Sequence, residues 1–399
     1  MSRILLAWEL GMGLGHLAPF LGIAPALLAR GHTLHIAARE VAGAVRAVGD
    51  LPIKVHQAPL CLNTYGGLQE PPLNYSEILM RFGYLEPAML RGMFTAWRSL
   101  MQVTGAEVVI ADHAPTALLA ARSLALPRAV IGSPFNAPPQ RSPMPNMRDW
   151  EVVPESRLAD SDRCVLEVIN QVSPRGLPAV HGIFEGAAEL LSGLPQLDPY
   201  GARDPDSYLG LYSLSTGRAV PQWPAGEGEV VFAYLHAQHP ALDAILNGLA
   251  TSSARVLAYV SGKRPGQLEA WCSERMVFAF EPLDLERVLA SCALCVCHGN
   301  VGTSLGVLSR GLPLLMLPWH LENMLLARRI AAVGAGRVIE PEAIAAELAA
   351  TLAAMLADPA YAKAARAIAQ QGTVASVGTM SDHAAARIEA LAASARENT

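Results

Sequence analysis

The chain has 399 residues, too many for one ordinary core, so two domains are expected. Hydrophobic residues make up 52% and charged residues 16%, with a mean hydropathy of +0.28, yet no apolar run is long enough for a transmembrane helix. The net charge of −5 and a pI near 6.1 argue against nucleic acid as a partner. An Ala/Leu-rich α/β core accounts for the apolar composition; an apolar acceptor or loose peripheral membrane contact is the other use for it. Met1 to Trp8 is apolar, but Glu9 and a run of glycines interrupt it, which makes a poor secretory signal. Cys61, Cys164, Cys272, Cys292, Cys295 and Cys297 show no disulfide framework, so a reducing cytoplasm is the expected location.

Arg3 to Trp8 reads as a strand that runs into Gly11-Met12-Gly13-Leu14-Gly15-His16. A helix from Leu17 to Arg30 follows, closed by Gly31, and Thr33 to Ala38 is the second strand. A dinucleotide site fits poorly, because the glycines lack the G-x-G-x-x-G spacing and no acidic residue closes the second strand. Taken alone, His16 reads as a helix cap. Ile53 to Ala58 is a third strand, residues 60 to 75 a loop, and Ser76 to Val103 largely helix. Glu107 to Ala111 is an apolar strand ending at Asp112-His113, with Pro115 starting a helix. A carboxylate at the carboxyl end of a parallel strand faces the ligand crevice; Asp112 can do that, or only cap the following helix. His113 is either a competitor for Asp112 or its solvent-side neighbour.

Arg128 to Gly132 is another strand, followed by a proline-rich loop from Ser133 to Asp149 that reads as a pocket wall or lid. Glu155 to Gln171 and Pro178 to Leu191 are expected as helices. Asp204-Pro205-Asp206 has the D-x-D form, but its Pro- and Gly-rich setting makes it a turn. Residues 217–228 are the expected linker between a first domain, 1–216, and a second, 229–380. Residues 381–399 are expected as a final helix that packs back across the domains.

The second half opens with a strand, Glu229 to Leu235, then His236, a helix from Pro240 to Leu249, and strands at Arg255 to Val260 and Met276 to Phe280. Its most informative stretch is Cys292 to Asn323. Leu294 to Cys297 is a buried-strand run; His298-Gly299-Asn300 ends it, and a helix runs from Gly302 to Arg310. Gly311 and Pro313 stop that helix, Leu314 to Leu317 is the next strand, and Glu322-Asn323 open another helix. A strand that passes through glycine into a helix aims backbone N–H groups and the positive helix end at one spot, which suits a phosphate. Thr303 and Ser304 add hydroxyls and His298 an imidazole. Cys292, Cys295, Cys297 and His298 invite a metal site. However, Cys295 and Cys297 share one side of a strand while His298 turns to the other, so buried thiols are the simpler reading.

These residues resemble the UDP-glycosyltransferase superfamily, in particular its macrolide and natural-product members. The family pattern is H-G-G-x-G-T/S, a helix, G-x-P, an apolar strand, then P and an acidic residue with Gln. His298, Gly299, Gly302, Thr303, Gly311, Pro313 and Pro318 match it, and Phe280-Glu281-Pro282-Leu283 matches an upstream element. Gly13, Gly15, His16, Pro19 and Arg30-Gly31-His32 match the family's opening. Asn300 replaces a glycine, Asn323 replaces Gln, Gly306 replaces a ribose-binding Glu, and His236 stands near a usual Gly-Ser phosphate contact.

The resemblance implies a GT-B fold, α/β, with two Rossmann-like parallel-sheet domains across a cleft. It also implies an inverting, metal-independent glycosyltransferase that needs no cofactor beyond its co-substrate, a UDP- or TDP-sugar. The acceptor hydroxyl would belong to a small apolar molecule or a lipid. His16 would be the general base and Asp112 its partner. The donor would meet Gly13, Gly15, His236, Pro282, Leu283, His298, Gly299, Asn300, Gly302, Thr303, Ser304, Glu322 and Asn323. The helix N-terminus would carry the leaving diphosphate. A sugar-nucleotide epimerase on the same fold, or a non-catalytic auxiliary protein, are the rival readings.

Overall fold

The computed structural model describes residues 1–211, 219–371 and 377–397. Two compact units emerge. The first takes in Met1–Pro195, Pro199–Leu209 and Val377–Thr399, and the second Gln196–Asp198 and Gly210–Ser376. Residues 217 and 218, the start of the expected linker, lie outside the described residues.

The first unit is built on six parallel strands: β1 (Arg3–Trp8), β2 (Thr33–Ala38), β3 (Ile53–Gln57), β4 (Val108–Asp112), β5 (Arg128–Gly132) and β6 (Ala188–Leu191). They lie in the order β3-β2-β1-β4-β5-β6. Central strands of a parallel sheet are covered on both faces, which is why β1 and β4 read as unbroken apolar runs. Every residue of β4 is buried, and so is all of β1 beyond Arg3. The helices of this unit are α1 (Ala18–Ala29), α2 (Val41–Val48), α3 (Tyr75–Met80), α4 (Pro87–Thr104), α5 (Pro115–Ser123) and α6 (Glu155–Val172). A final helix, Val377–Glu397, belongs to this unit and packs on α1; Arg30 pairs with Asp382 and Glu389 along that contact.

Three sequence expectations change here. Pro178 to Leu191 is not a helix: a single 3-10 turn at Val180–Ile183 gives way to β6. Gly186, at φ +71°, turns the chain, and Leu190 and Leu191 are buried alongside β5. The long helix over 76–103 is two, because Gly83 at φ +92° breaks it and Pro87 restarts it as α4. His16 lies in a 3-10 turn, Leu14–Leu17, ahead of α1, and does not cap that helix.

The second unit repeats the plan. Its strands are β7 (Val230–His236), β8 (Arg255–Ser261), β9 (Met276–Ala279), β10 (Leu294–Cys297), β11 (Leu314–Met316) and β12 (Gly336–Val338). All are parallel, in the order β12-β11-β10-β7-β8-β9. Counted from its own first strand, this is the same order as in the first unit, the dinucleotide-fold order. Helices α7 (Leu242–Ala250), α8 (Leu285–Leu289), α9 (Val301–Ser309), α10 (Leu321–Ala332), α11 (Ile344–Ala357) and α12 (Pro359–Gln371) complete it. Ile245, Leu246 and Leu249 of α7 pack with Ile344, Leu348 and Leu352 of α11 in its core. Fully burying side chains of this size stabilises by about 1.5–3 kcal/mol each. Among the described residues, no single helix is long and apolar enough to cross a membrane.

Candidate active site

In an open α/β sheet, ligands bind at the carboxyl ends of the strands where the strand order reverses. In the first unit that point lies between β1 and β4, which pair with Trp8 opposite Asp112. His16 and Asp112 meet there. His16 Nδ1 is 3.4 Å from Asp112 Oδ2, and both side chains are buried. The His16 ring stacks on Trp8, with centroids 5.5 Å apart. Asn136, from the proline-rich loop after β5, donates from Nδ2 to Asp112 Oδ1 at 2.8 Å. The carboxylate is therefore held from both sides. With its Nδ1–H toward Asp112, the imidazole presents Nε2 as its basic atom.

Two glycines make this approach possible. Gly11, at φ +78°, lies so close that a Cβ there would fall 2.1 Å from His16 Nε2. Gly132, at φ +98°, would place a Cβ 3.0 Å from both Asp112 oxygens. Gly13 and Gly15 are different, being exposed with open space where a Cβ would stand. The loops after β1 and β4 are also tied together. Leu10 donates its N–H to the His113 carbonyl at 2.8 Å. Glu9, fully buried, accepts from Thr116 N at 2.9 Å and Thr116 Oγ1 at 2.5 Å in the first turn of α5. Burial pushes its carboxyl up to about 7, against the pull of these donors.

His113 is neither a competitor for Asp112 nor a solvent-side neighbour. It is buried, at φ +48°, and neither ring nitrogen has a hydrogen-bond partner. Its ring lies among those of His16, Tyr75 and Phe135, at centroid distances of 5.9, 5.9 and 5.8 Å.

In the second unit the strand order reverses between β7 and β10. His236 ends β7 and His298 follows β10. His298 Nε2 accepts the His236 backbone N–H at 2.8 Å, and its Nδ1 lies 3.3 Å from the Leu317 carbonyl. Both ring nitrogens are thus engaged, with the proton on Nδ1. Through these two contacts His298 joins β7, β10 and the end of β11. Burial first, then the nearby histidines, lower its pKa to about 3. His239 stacks on it at 4.9 Å and also approaches the Leu317 carbonyl, at 3.3 Å. His236 accepts the Gln238 N–H on Nδ1 at 3.2 Å, and its ring faces Trp319 at 6.5 Å.

The turn into α9 is tight. Gly299, at φ +82°, sits where a Cβ would be 2.9 Å from the Asn323 carbonyl, which brings the start of α10 against the β10 loop. Asn300 takes the N-cap position but makes no capping bond, and its Oδ1 is buried without a partner. The first N–H groups of α9 therefore receive no side-chain cap and retain their positive field. Gly302 is exposed there and Thr303 half-buried. Ser304 is fully buried with its Oγ beside the Cys297 thiol, one residue further round the helix than Thr303. Glu322 and Asn323 are half-buried in the first turn of α10. Leu283 bridges to Ala219, and the Pro282 carbonyl accepts the Ala219 N–H at 3.3 Å. Among the described residues no three His, Cys, Asp or Glu side chains are arranged to hold a metal ion. Asp204 and Asp206 form a turn, with Asp204 Oδ1 accepting the Asp206 N–H at 3.0 Å.

Comparison with known proteins adds the rest. Residues 250–379 match the family described as the erythromycin biosynthesis protein CIII-like (EryCIII-like) C-terminal domain. The elloramycin glycosyltransferase ElmGT of Streptomyces olivaceus is 41% identical over 88 residues, so the match spans only 22% of either chain. A PGL/p-HBAD biosynthesis glycosyltransferase of Mycobacterium tuberculosis is 24% identical over 305 residues, 70% of each chain. Among solved structures, the spinosyn rhamnosyltransferase SpnG covers 100% of both chains at 19% identity and a TM-score of 0.65. The glycosyltransferase VinC, solved with DTDP, has a TM-score of 0.68 at 20% identity, covering 98% of this chain and all of its own. The two sheets of one strand order thus belong to the fold of these solved glycosyltransferases, and the glycine turn into an uncapped helix at the second switch point falls within the segment that resembles the EryCIII-like C-terminal domain.

Proposed function

We propose that this protein transfers a glycosyl group from a nucleoside diphosphate sugar to a hydroxyl of a small, largely apolar acceptor, with inversion and without a metal ion. The observation that carries the proposal is the buried His16, aligned by Asp112, which Asn136 holds in turn. His16 Nε2 takes the acceptor proton as the acceptor oxygen bonds to the anomeric carbon. The bond from that carbon to the diphosphate breaks, and the nucleoside diphosphate leaves with the electron pair. Asp112 stabilises the imidazolium so formed. The uncapped start of α9, at Gly302 and Thr303, stabilises the charge that grows on the diphosphate. Gly299 lets Asn323 approach this spot, and Glu322 and Asn323 take sugar hydroxyls.

Gly306 supports a thymidine diphosphate donor, because a glycine has no carboxylate with which to select a ribose diol. VinC and SpnG, both solved with this nucleotide, are in keeping with that choice. The test is product analysis with TDP- and UDP-sugars and hydroxyl acceptors, repeated in EDTA. His16→Ala should lower turnover by about a hundredfold or more. A folded His16→Ala protein with wild-type turnover, or an isomerised donor in place of transfer, defeats the reading.

A further inference from the structure

Behind the catalytic pair lies a second set of polar atoms that the mechanism above does not use. His113 directly follows Asp112, and its backbone is held at φ +48°, a region that side chains other than glycine seldom occupy. The structure holds it there: its carbonyl accepts the Leu10 N–H, and Glu9 anchors the helix that follows. Strain of this kind collects where a side chain must point in a particular direction. The direction here is into a layer of aromatic rings. The His113 ring packs on His16 on one side and on Tyr75 and Phe135 on others, and Tyr75 in turn meets Phe184 edge-on at 5.5 Å. Both His113 nitrogens and the Tyr75 hydroxyl are buried without a hydrogen-bond partner. His113 is 6% exposed and Tyr75 0%.

Native interiors leave very few polar atoms unpaired, and three within one ring cluster call for an external partner. Burial holds His113 neutral, so it offers one donor and one acceptor, and Tyr75 offers a hydroxyl that can do either. The Phe135 ring meets His113 edge to face and comes from the proline-rich loop that also carries Asn136. An acceptor ring that displaced Phe135 would keep this edge-to-face contact and bring its own oxygen to these atoms.

We propose that His113 and Tyr75 form a specificity subsite for a second oxygen on the acceptor, beside the hydroxyl presented to His16. The substrate class is then a planar aromatic or polycyclic acceptor with two oxygens on adjacent carbons. This rests on the reading of His16 as the base for glycosyl transfer.

The experiment compares 2,3-dihydroxynaphthalene with 2-naphthol as acceptors, alongside donor hydrolysis without acceptor. Wild-type kcat/KM should favour the dihydroxy compound by about tenfold or more. In Tyr75→Phe and His113→Asn the ratio should collapse toward one. Asn is chosen because it tolerates the left-handed backbone. Tyr75→Phe should unfold at or above the wild-type temperature, since it removes a buried hydroxyl that has no partner. A hydroxyl with a purely structural role would lower that temperature and leave the acceptor ratio alone. A wild-type ratio below about threefold, or one unchanged in both variants, overturns the subsite. So does donor hydrolysis without transfer to either naphthol. Absence of donor hydrolysis and of transfer to any acceptor would instead count against the function proposed above.

Discussion

Protonation of His298 should cost the second unit a defined amount of stability. Its Nε2 faces the His236 backbone N–H at 2.8 Å, so a proton on Nε2 would set two donors against each other. The folded pKa is lowered from 6.5 to about 3, chiefly by burial. The unfolded chain therefore binds this proton more readily than the folded one. Stability contributed by neutral His298 is fully present above the unfolded pKa and is lost as pH falls from about 6.5 toward 3. Between pH 8 and pH 5 the linkage amounts to about 2 kcal/mol. His298→Gln keeps a polar side chain but cannot take up this proton. Denaturant unfolding at pH 8 and pH 5 should show wild type losing about 2 kcal/mol more than His298→Gln. His239 and His320 are also shifted downward, and both are present in each protein, so the difference isolates His298. Equal acid sensitivity in the two proteins would refute the argument, as would a His298 ring resonance that titrates near 6.5.

Gly11→Ala should lower turnover by about a hundredfold with little effect on nucleotide affinity, because the new methyl falls on His16 Nε2 and the backbone is left-handed there; kinetics with calorimetric binding of TDP will show it. Asn136→Ala frees one side of the Asp112 carboxylate and should lower kcat by about tenfold or more, with the acceptor KM changing less. Dissociation constants for UDP and TDP should lie within about tenfold of each other or favour TDP; a hundredfold preference for UDP would reject the role given to Gly306.

The place of Asp112 at a carboxyl strand end was legible from the apolar run before it, but its pairing with His16 was implied only by the family resemblance, since His16 alone reads as a helix cap. The glycine turn at Gly299 was legible from the apolar run before it in the same way. Partners supplied by backbone were not. Nothing in a linear reading tells His298 that the Leu317 carbonyl and the His236 N–H will occupy its two nitrogens. Helix phase decided between Thr303 and Ser304, and one residue of rotation buries the second. Gly11 carried no more signal than Gly13 or Gly15, although it alone of the three packs on the base. Asn136 was hidden by the prolines around it, which spoke for a wall and not for a hydrogen bond to Asp112. β6 was missed because a short Ala-Glu-Leu-Leu run has no strand period of its own and is fixed by its neighbour β5.

The helix Val377–Glu397 belongs to the first unit yet comes after the whole of the second in sequence. During synthesis the first sheet is therefore complete long before the helix that covers α1 exists. Through that interval the contact face of α1 lacks its cover, and Arg30 and His32 lack the Glu389 carboxylate. The second unit, by contrast, has all its strands and helices through Gln371 before this helix emerges. The order of folding should thus invert the order of the chain, with the later unit finished first and the earlier one sealed last. A chain truncated ahead of Val377 should hold a folded second unit and a first unit open to protease.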